Sequence, residues 1–256
     1  MKILLVNEAG CFTPSITALA KELSRSHRVV IVAPLDPLRG AGHALTTNYK
    51  PLRAKQWFVM RDIKIWSVSG TPCDCVSLAL DKLLKSKPDL IISGIDAQNN
   101  VGEMLRTSGV VSGAIEGAIQ GFKSIALSAV INDPNNEREF AKVARAFSKK
   151  LPEIYKTMTR GEVVNINFPS NPKASQIVAT HITCDTVQNK YKLEVNPFMR
   201  SFAWLQNRTV GYGLEALESR GDIYWLKRGF ITLTPLTLDI LNKSAVSAVE
   251  NANFKI

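Results

Sequence analysis

Short apolar runs alternate with stretches of helical periodicity along the first half of the chain, and this alternation restricts the fold more than any other feature. Residues 3–6, 28–33, 64–68, 89–92 and 124–130 read as strands. Between them, residues 14–24 carry Ile16, Leu19, Ala20 and Leu23 on one helical face, with Pro14 suited to the first turn. Thr71-Pro72 opens a second helix through Val76, Leu80 and Leu83-Leu84, and residues 109–121 form a third. Strands joined in this way predict a mostly parallel sheet covered by helices on both faces.

The remaining residues read differently. A long charged helix over 136–158 leads to a strand over 163–168. Residues 177–182, the polar stretch around 185–191 and residues 222–234 read as strands and arms, and residues 236–251 as a helix. The helix over 109–121 has glycines at 109, 113, 117 and 121, four apart on one face. Interior glycine costs a helix roughly 1 kcal/mol relative to alanine, so a close approach to the sheet is expected there.

The 256 residues are 45% hydrophobic and 21% charged, which supports a buried core and excludes a disordered chain. One domain over 1–256 is expected, with a core in 1–130 and a remainder that completes it and adds arms. The four cysteines (Cys11, Cys73, Cys75, Cys184) are too few for a disulfide scaffold, and Cys73-Asp74-Cys75 has neither zinc-ribbon nor redox spacing. A reducing cytoplasm is expected, and no apolar run is long enough to span a membrane. The net charge of +10 favours anions. No dense basic run interleaved with aromatics accompanies it, so nucleic acid ranks last among partners.

In parallel sheets, ligands bind beyond the carboxyl ends of the strands. Four polar, glycine-rich segments leave such ends: residues 7–10, 36–43, 70–72 and 94–109. Ser108-Gly109 at a helix start offers free N–H groups to an anion.

These segments carry a resemblance. Asn7-Glu8-Ala9-Gly10 followed by Pro14, Ala33-Pro34 leading to Arg39-Gly40-Ala41-Gly42-His43, Gly70-Thr71-Pro72-Cys73-Asp74-Cys75-Val76, Ser93-Gly94-Ile95-Asp96 through Asn100 and Ser108-Gly109, and the closing residues 231–239 resemble, in order, the motifs of the SurE survival-protein family of 5′-nucleotidases. The resemblance implies a three-layer Rossmann-like α/β core with C-terminal β-rich oligomerisation arms. It also implies hydrolysis of nucleoside monophosphates with a divalent metal (magnesium or manganese) and assembly into homodimers or homotetramers.

The family's four metal-ligand positions fall on Glu8, Ala9, Arg39 and Asp96, and none keeps the family residue. Glu8 and Asp96 still offer the oxygens that hard cations need; Ala9 offers none and Arg39 brings a positive charge. One expectation is therefore that Arg39 replaces the metal and bridges Glu8 and Asp96. Glu8, Asn100 and Ser108 are the catalytic candidates that the resemblance implies, and Asn7, Arg39, Gly40, His43 and Gly109 the phosphate-binding ones. Asp74 at a helix start reads as a cap. Three functions compete: an active phosphomonoesterase with a degenerate metal site, an inactive paralogue that binds nucleotide or phosphate or acts through its oligomeric arms, and a nucleic-acid-binding protein.

Overall fold

The structure, a computed structural model, describes residues 1–46, 50–60, 63–170, 176–183, 186–198, 200–211 and 220–239. Its strands are β1 (Lys2–Val6), β2 (Arg28–Pro34), β3 (Ala54–Met60), β4 (Ile63–Val68), β5 (Leu90–Asp96), β6 (Lys123–Ala129), β7 (Val163–Phe168), β8 (Ile177–Ala179), β9 (Thr186–Val195), β10 (Ser201–Gly211) and β11 (Ile231–Leu236). Nine of them form one sheet in the order β3-β4-β2-β1-β5-β6-β7-β11-β8. Neighbours from β4 through β7 run parallel, β3 and β11 pair antiparallel with β4 and β7, and β8 runs parallel to β11. The fold is α/β with a mostly parallel sheet, and β9 and β10 form a separate antiparallel hairpin.

The pleat sorts side chains between two helical layers. Ile3, Leu5, Val29, Ile31 and Ile92 join a core with α1 (Pro14–Leu23) and α4 (Glu137–Thr157), whose Phe140, Phe147 and Leu151 are fully buried. On the other face Leu4, Val6, Val32 and Val68 pack with α2 (Pro72–Leu78), and Ala126 and Val163 with α3 (Gly109–Ile119). Each such Leu, Ile or Phe stabilises by about 1.5–3 kcal/mol. No helix among the described residues is long and apolar enough to cross a membrane.

Four differences from the sequence reading have physical causes. β5 does not stop at Ser93-Gly94; it continues through Ile95 to Asp96 with a shift of register against β6. A Cβ at position 94 would run into the Leu127 carbonyl, so glycine there lets the two strands stay close. Gly121 lies beyond α3 at φ +85°, as the left-handed residue that follows a helix end. β3 is not marked as a strand by its sequence, because Ala54-Lys55-Gln56-Trp57-Phe58-Val59-Met60 does not alternate polar with apolar; it gains its place by pairing with β4, and its Phe58 stays exposed. Residues 222–234 are not all strand: α5 (Asp222–Lys227) precedes β11. Buried Asp222 accepts the N–H groups of Thr183 and Gly102, so a tertiary anchor starts this helix. The helix read over 236–251 falls mostly outside the described residues.

Candidate functional site

From β1 the chain moves outward one way to β2 and β4, then returns to build β5, β6 and β7 on the other side. The order reverses between β1 and β5, and the crevice beyond their carboxyl ends is where such sheets bind ligands. Residues 7–10 and Asp96 leave these two strands at that crevice.

Asn7 is fully buried and holds the first loop: its Nδ2 donates to Ser15 Oγ (2.8 Å) and the Ile95 carbonyl (3.2 Å), and its Oδ1 accepts from Ala9 N (2.9 Å). The tight turn aims buried Glu8 across the crevice, where its Oε2 accepts from Gly109 N at 2.8 Å. A carboxylate therefore sits at the start of α3, where free N–H groups and the helix dipole favour negative charge. Burial, and then the Asp96 charge, push the Glu8 carboxyl up to about 7; the N–H groups of Gly109 and Gly40 and the Arg39 charge act the other way. A Cβ on residue 109 would come within 2.6 Å of Glu8 Oε2, so this contact requires glycine.

Arg39 sits half-exposed on the second loop, with Nη1 3.6 Å from Asp96 Oδ1. Among the described residues its guanidinium pairs with Asp96 and not with Glu8, which it influences only through charge. The expected bridge between both acids is thus made to one of them, because Glu8 turns toward Gly109. Gly40 (φ +71°) and Gly42 (φ +56°) give the loop its left-handed bends, and Gly42 N donates to the Thr107 carbonyl at 3.1 Å.

Asp96 is buried and fully engaged. Burial raises its pKa against the opposing Asn100 hydrogen bond and Arg39 charge. Asn100 Nδ2 donates to Asp96 Oδ2 (2.9 Å) and Ser128 Oγ (2.8 Å). Asn165 and Asn167 donate to the Asn100 carbonyl at 2.7 and 3.0 Å, and Asn100 N donates to Asn167 Oδ1 at 2.8 Å. Ser128, Asn165 and Asn167 are supports that the sequence reading missed. Their signal was visible in Val163-Val164-Asn165-Ile166-Asn167-Phe168: two amides in a strand otherwise wholly apolar and buried must find partners.

The other expected residues lie around this centre. Ser108 caps α3, its Oγ accepting from Val111 N at 3.1 Å. His43, on the second loop, reaches α3 farther along, its Nε2 2.8 Å from Glu116 Oε2. Burial pushes the Glu116 carboxyl up, but hydrogen bonds from Ser77, His43 and Gln120 outweigh it and hold it below its usual range. Asp74 caps α2 in a capping box with Thr71 and also accepts from the N–H and hydroxyl of Thr46 (2.8 and 2.7 Å), fastening the second loop.

The donor chemistry at the crevice is two carboxylates, the aliphatic side chain of Ala9 and a guanidinium. No group of three His, Cys, Asp or Glu side chains placed to share a metal ion occurs among the described residues.

The profile described as "Survival protein SurE" matches residues 3–192. The chain belongs to the SurE family. It is 34% identical to the 5′-nucleotidase SurE of Fervidobacterium nodosum, over 98% of this chain and 96% of that one. It is 36% identical to the 5′-nucleotidase SurE of Solidesulfovibrio magneticus, over 97% and 96%. The crystal structure of the SurE protein from Aquifex aeolicus superposes with a TM-score of 0.78 at 31% identity, covering 99% of this chain and 100% of that one. The Rossmann-like reading therefore holds for the SurE core.

Proposed function

We propose that this SurE-family chain binds a nucleoside monophosphate or a related phosphomonoester at the crevice between β1 and β5, and that Arg39 supplies there the positive charge that a divalent cation supplies in the family. The observation that carries this reading is the Arg39–Asp96 pair beside a buried Glu8. Magnesium and manganese need several oxygen ligands. Ala9 presents no side-chain oxygen and the guanidinium stands against one of the two acids, so the donor set does not fit such an ion. The half-exposed guanidinium has the fork geometry that recognises phosphate oxygens. The α3 N-terminus would receive the same anion once Glu8 yields Gly109 N. Asn100 and Ser108 support the two sides of the crevice through their hydrogen bonds, and His43 with Glu116 fixes the second loop against α3.

The reading is ligand binding with metal-driven hydrolysis lost. A panel of nucleoside monophosphates, assayed for binding and for phosphate release with magnesium, manganese or EDTA, tests it. Binding is expected to be insensitive to EDTA and to weaken on Arg39→Ala. Phosphate release is expected to rise by at least about a hundredfold when Glu8→Asp, Ala9→Asp, Arg39→Ser and Asp96→Asn are combined. Release by the natural chain that EDTA abolishes would overturn the reading. That result would favour a second one, an active 5′-nucleotidase with a reduced magnesium or manganese site, for which the closeness of two buried carboxyls speaks.

The β9–β10 hairpin supports assembly into a homodimer or homotetramer. Leu193, Val195, Phe198 and Trp204 are more than half exposed on it, an apolar surface that a second copy would cover. Cys11, Cys73 and Cys75 are buried free thiols, in keeping with a reducing cytoplasm.

A further inference from the structure

At the opposite end of the sheet, the amino ends of β1, β2 and β4 border a cleft of about 510 Å³. Its floor follows from the pleat. Leu4 and Val30 turn to the α2 side of the sheet, together with half-buried Trp66. Lys2, Arg28 and Lys64 stand two residues before these on their strands and so share their face. Three adjacent parallel strands thus place a cation each at the mouth of an apolar floor. The far wall is the end of the π turn that continues α2 (Ala79–Leu83) and the segment after it, with Leu84 and a fourth cation, Lys85.

Among the described residues lining this cleft there is no acid, and none of the four cations forms an ion pair. Elsewhere the surface does pair such groups: Lys21 with Glu137, Lys150 with Glu153 and Lys192 with Glu194. His27 also lines the cleft and keeps a buried Nδ1 without a hydrogen-bond partner. Asp89 stands on the adjoining rim beside Lys2, His27 and Arg28, its carboxylate accepting from Lys2 N at 2.7 Å, but it does not line the cleft. An apolar floor with a flat indole, a mouth with an excess of cations and an unused polar atom together fit a ligand with a planar apolar body and an anionic group.

We propose that this cleft is a second binding site, distinct from the crevice between β1 and β5, for a small aromatic anion whose ring lies against Trp66 and Val30 and whose charged group is held by Arg28 and Lys64. Calorimetric titration of the full chain with naphthalene-2-sulfonate tests it, beside uncharged 2-naphthol and inorganic sulfate. The sulfonate is expected to bind at least about tenfold more tightly than either, and to weaken as salt rises. Arg28→Glu combined with Lys64→Glu is expected to reduce affinity at least about tenfold, while Lys64→Arg, Arg39→Ala and Trp204→Ser leave it unchanged. Both charge-reversed residues are exposed, and circular dichroism checks that the variant folds. Equal binding by the charge-reversed variant, equal binding of sulfate alone, loss of binding on Arg39→Ala or Trp204→Ser, or no binding of the sulfonate would each overturn the proposal.

Discussion

Glu8 is the residue on which the crevice turns, and its surroundings make a thermodynamic prediction. The folded chain holds the Glu8 proton up to about pH 7, against an ordinary value of 4.5. Between those values the folded state binds a proton that the unfolded state has released. Stability from this group is therefore complete below pH 4.5 and is lost as pH rises through about 7. The full difference is about 3 kcal/mol. Glu8→Gln keeps an acceptor for Gly109 N and removes the titration. Denaturant unfolding should show the variant gaining on the natural chain between pH 5 and pH 8, and a constant difference would contradict this. Glu116 has the opposite sign: its lowered pKa gives stability that is present above the unfolded value and lost as pH falls through the folded one. Asn100→Ala would leave buried Asp96 without the amide it bonds and should destabilise by about 2–4 kcal/mol in the same assay. A loss under 1 kcal/mol would mean that water or Arg39 replaces the amide.

At the scale of elements, α3 shows why a run of glycines survives in a helix. Gly109, Gly113 and Gly117 face Glu8, Ser93 and Ser124 with Ile91, and a Cβ at 117 would stand 2.6 Å from Ser124 Oγ and 2.7 Å from Ile91 Cδ1. Gly117→Ala should therefore destabilise by about 1–3 kcal/mol although alanine is the better helix former; a rise in melting temperature would refute the packing argument. This face was legible in the sequence because four-residue spacing is a helical period, and so were the strands buried on both sides. The departures came where tertiary pairing decides. β3 owes its order to β4, α5 starts on the anchor at Asp222, and β5 extends past Gly94 because a glycine can run beside Leu127. The site divides in the same way. The loops around Glu8, Arg39 and Asp96 could be found from their motifs. Which acid takes the arginine could not, because the choice depends on Glu8 reaching Gly109 across about a hundred residues of chain.

For the whole molecule, two regions stand apart from the packed sheet. The hairpin of β9 and β10 exposes apolar side chains that the sheet does not use. The proposed assembly through this hairpin predicts that the natural chain sediments above the monomer mass and that Leu193→Ser with Trp204→Ser brings it to monomer in analytical ultracentrifugation while leaving the sheet folded; a monomeric natural chain, or an unchanged mass in the variant, would contradict it. The crevice is the second region, and its loops are fastened from within: Asn7 to Ser15 and Ile95, Gly42 to Thr107, Asp74 to Thr46, Arg39 to Asp96. An ion that binds only the folded state raises the melting temperature, by an amount that grows with the logarithm of its concentration over its Kd. The decisive measurement is thus thermal unfolding of the natural chain and of the variant combining Glu8→Asp, Ala9→Asp, Arg39→Ser and Asp96→Asn, each with millimolar manganese and with EDTA. If Arg39 does the cation's work, the natural chain melts at the same temperature in both solutions and manganese raises the melting point of the variant alone. A manganese-dependent rise in the natural chain would show that Glu8 and Asp96 still hold a metal beside Arg39.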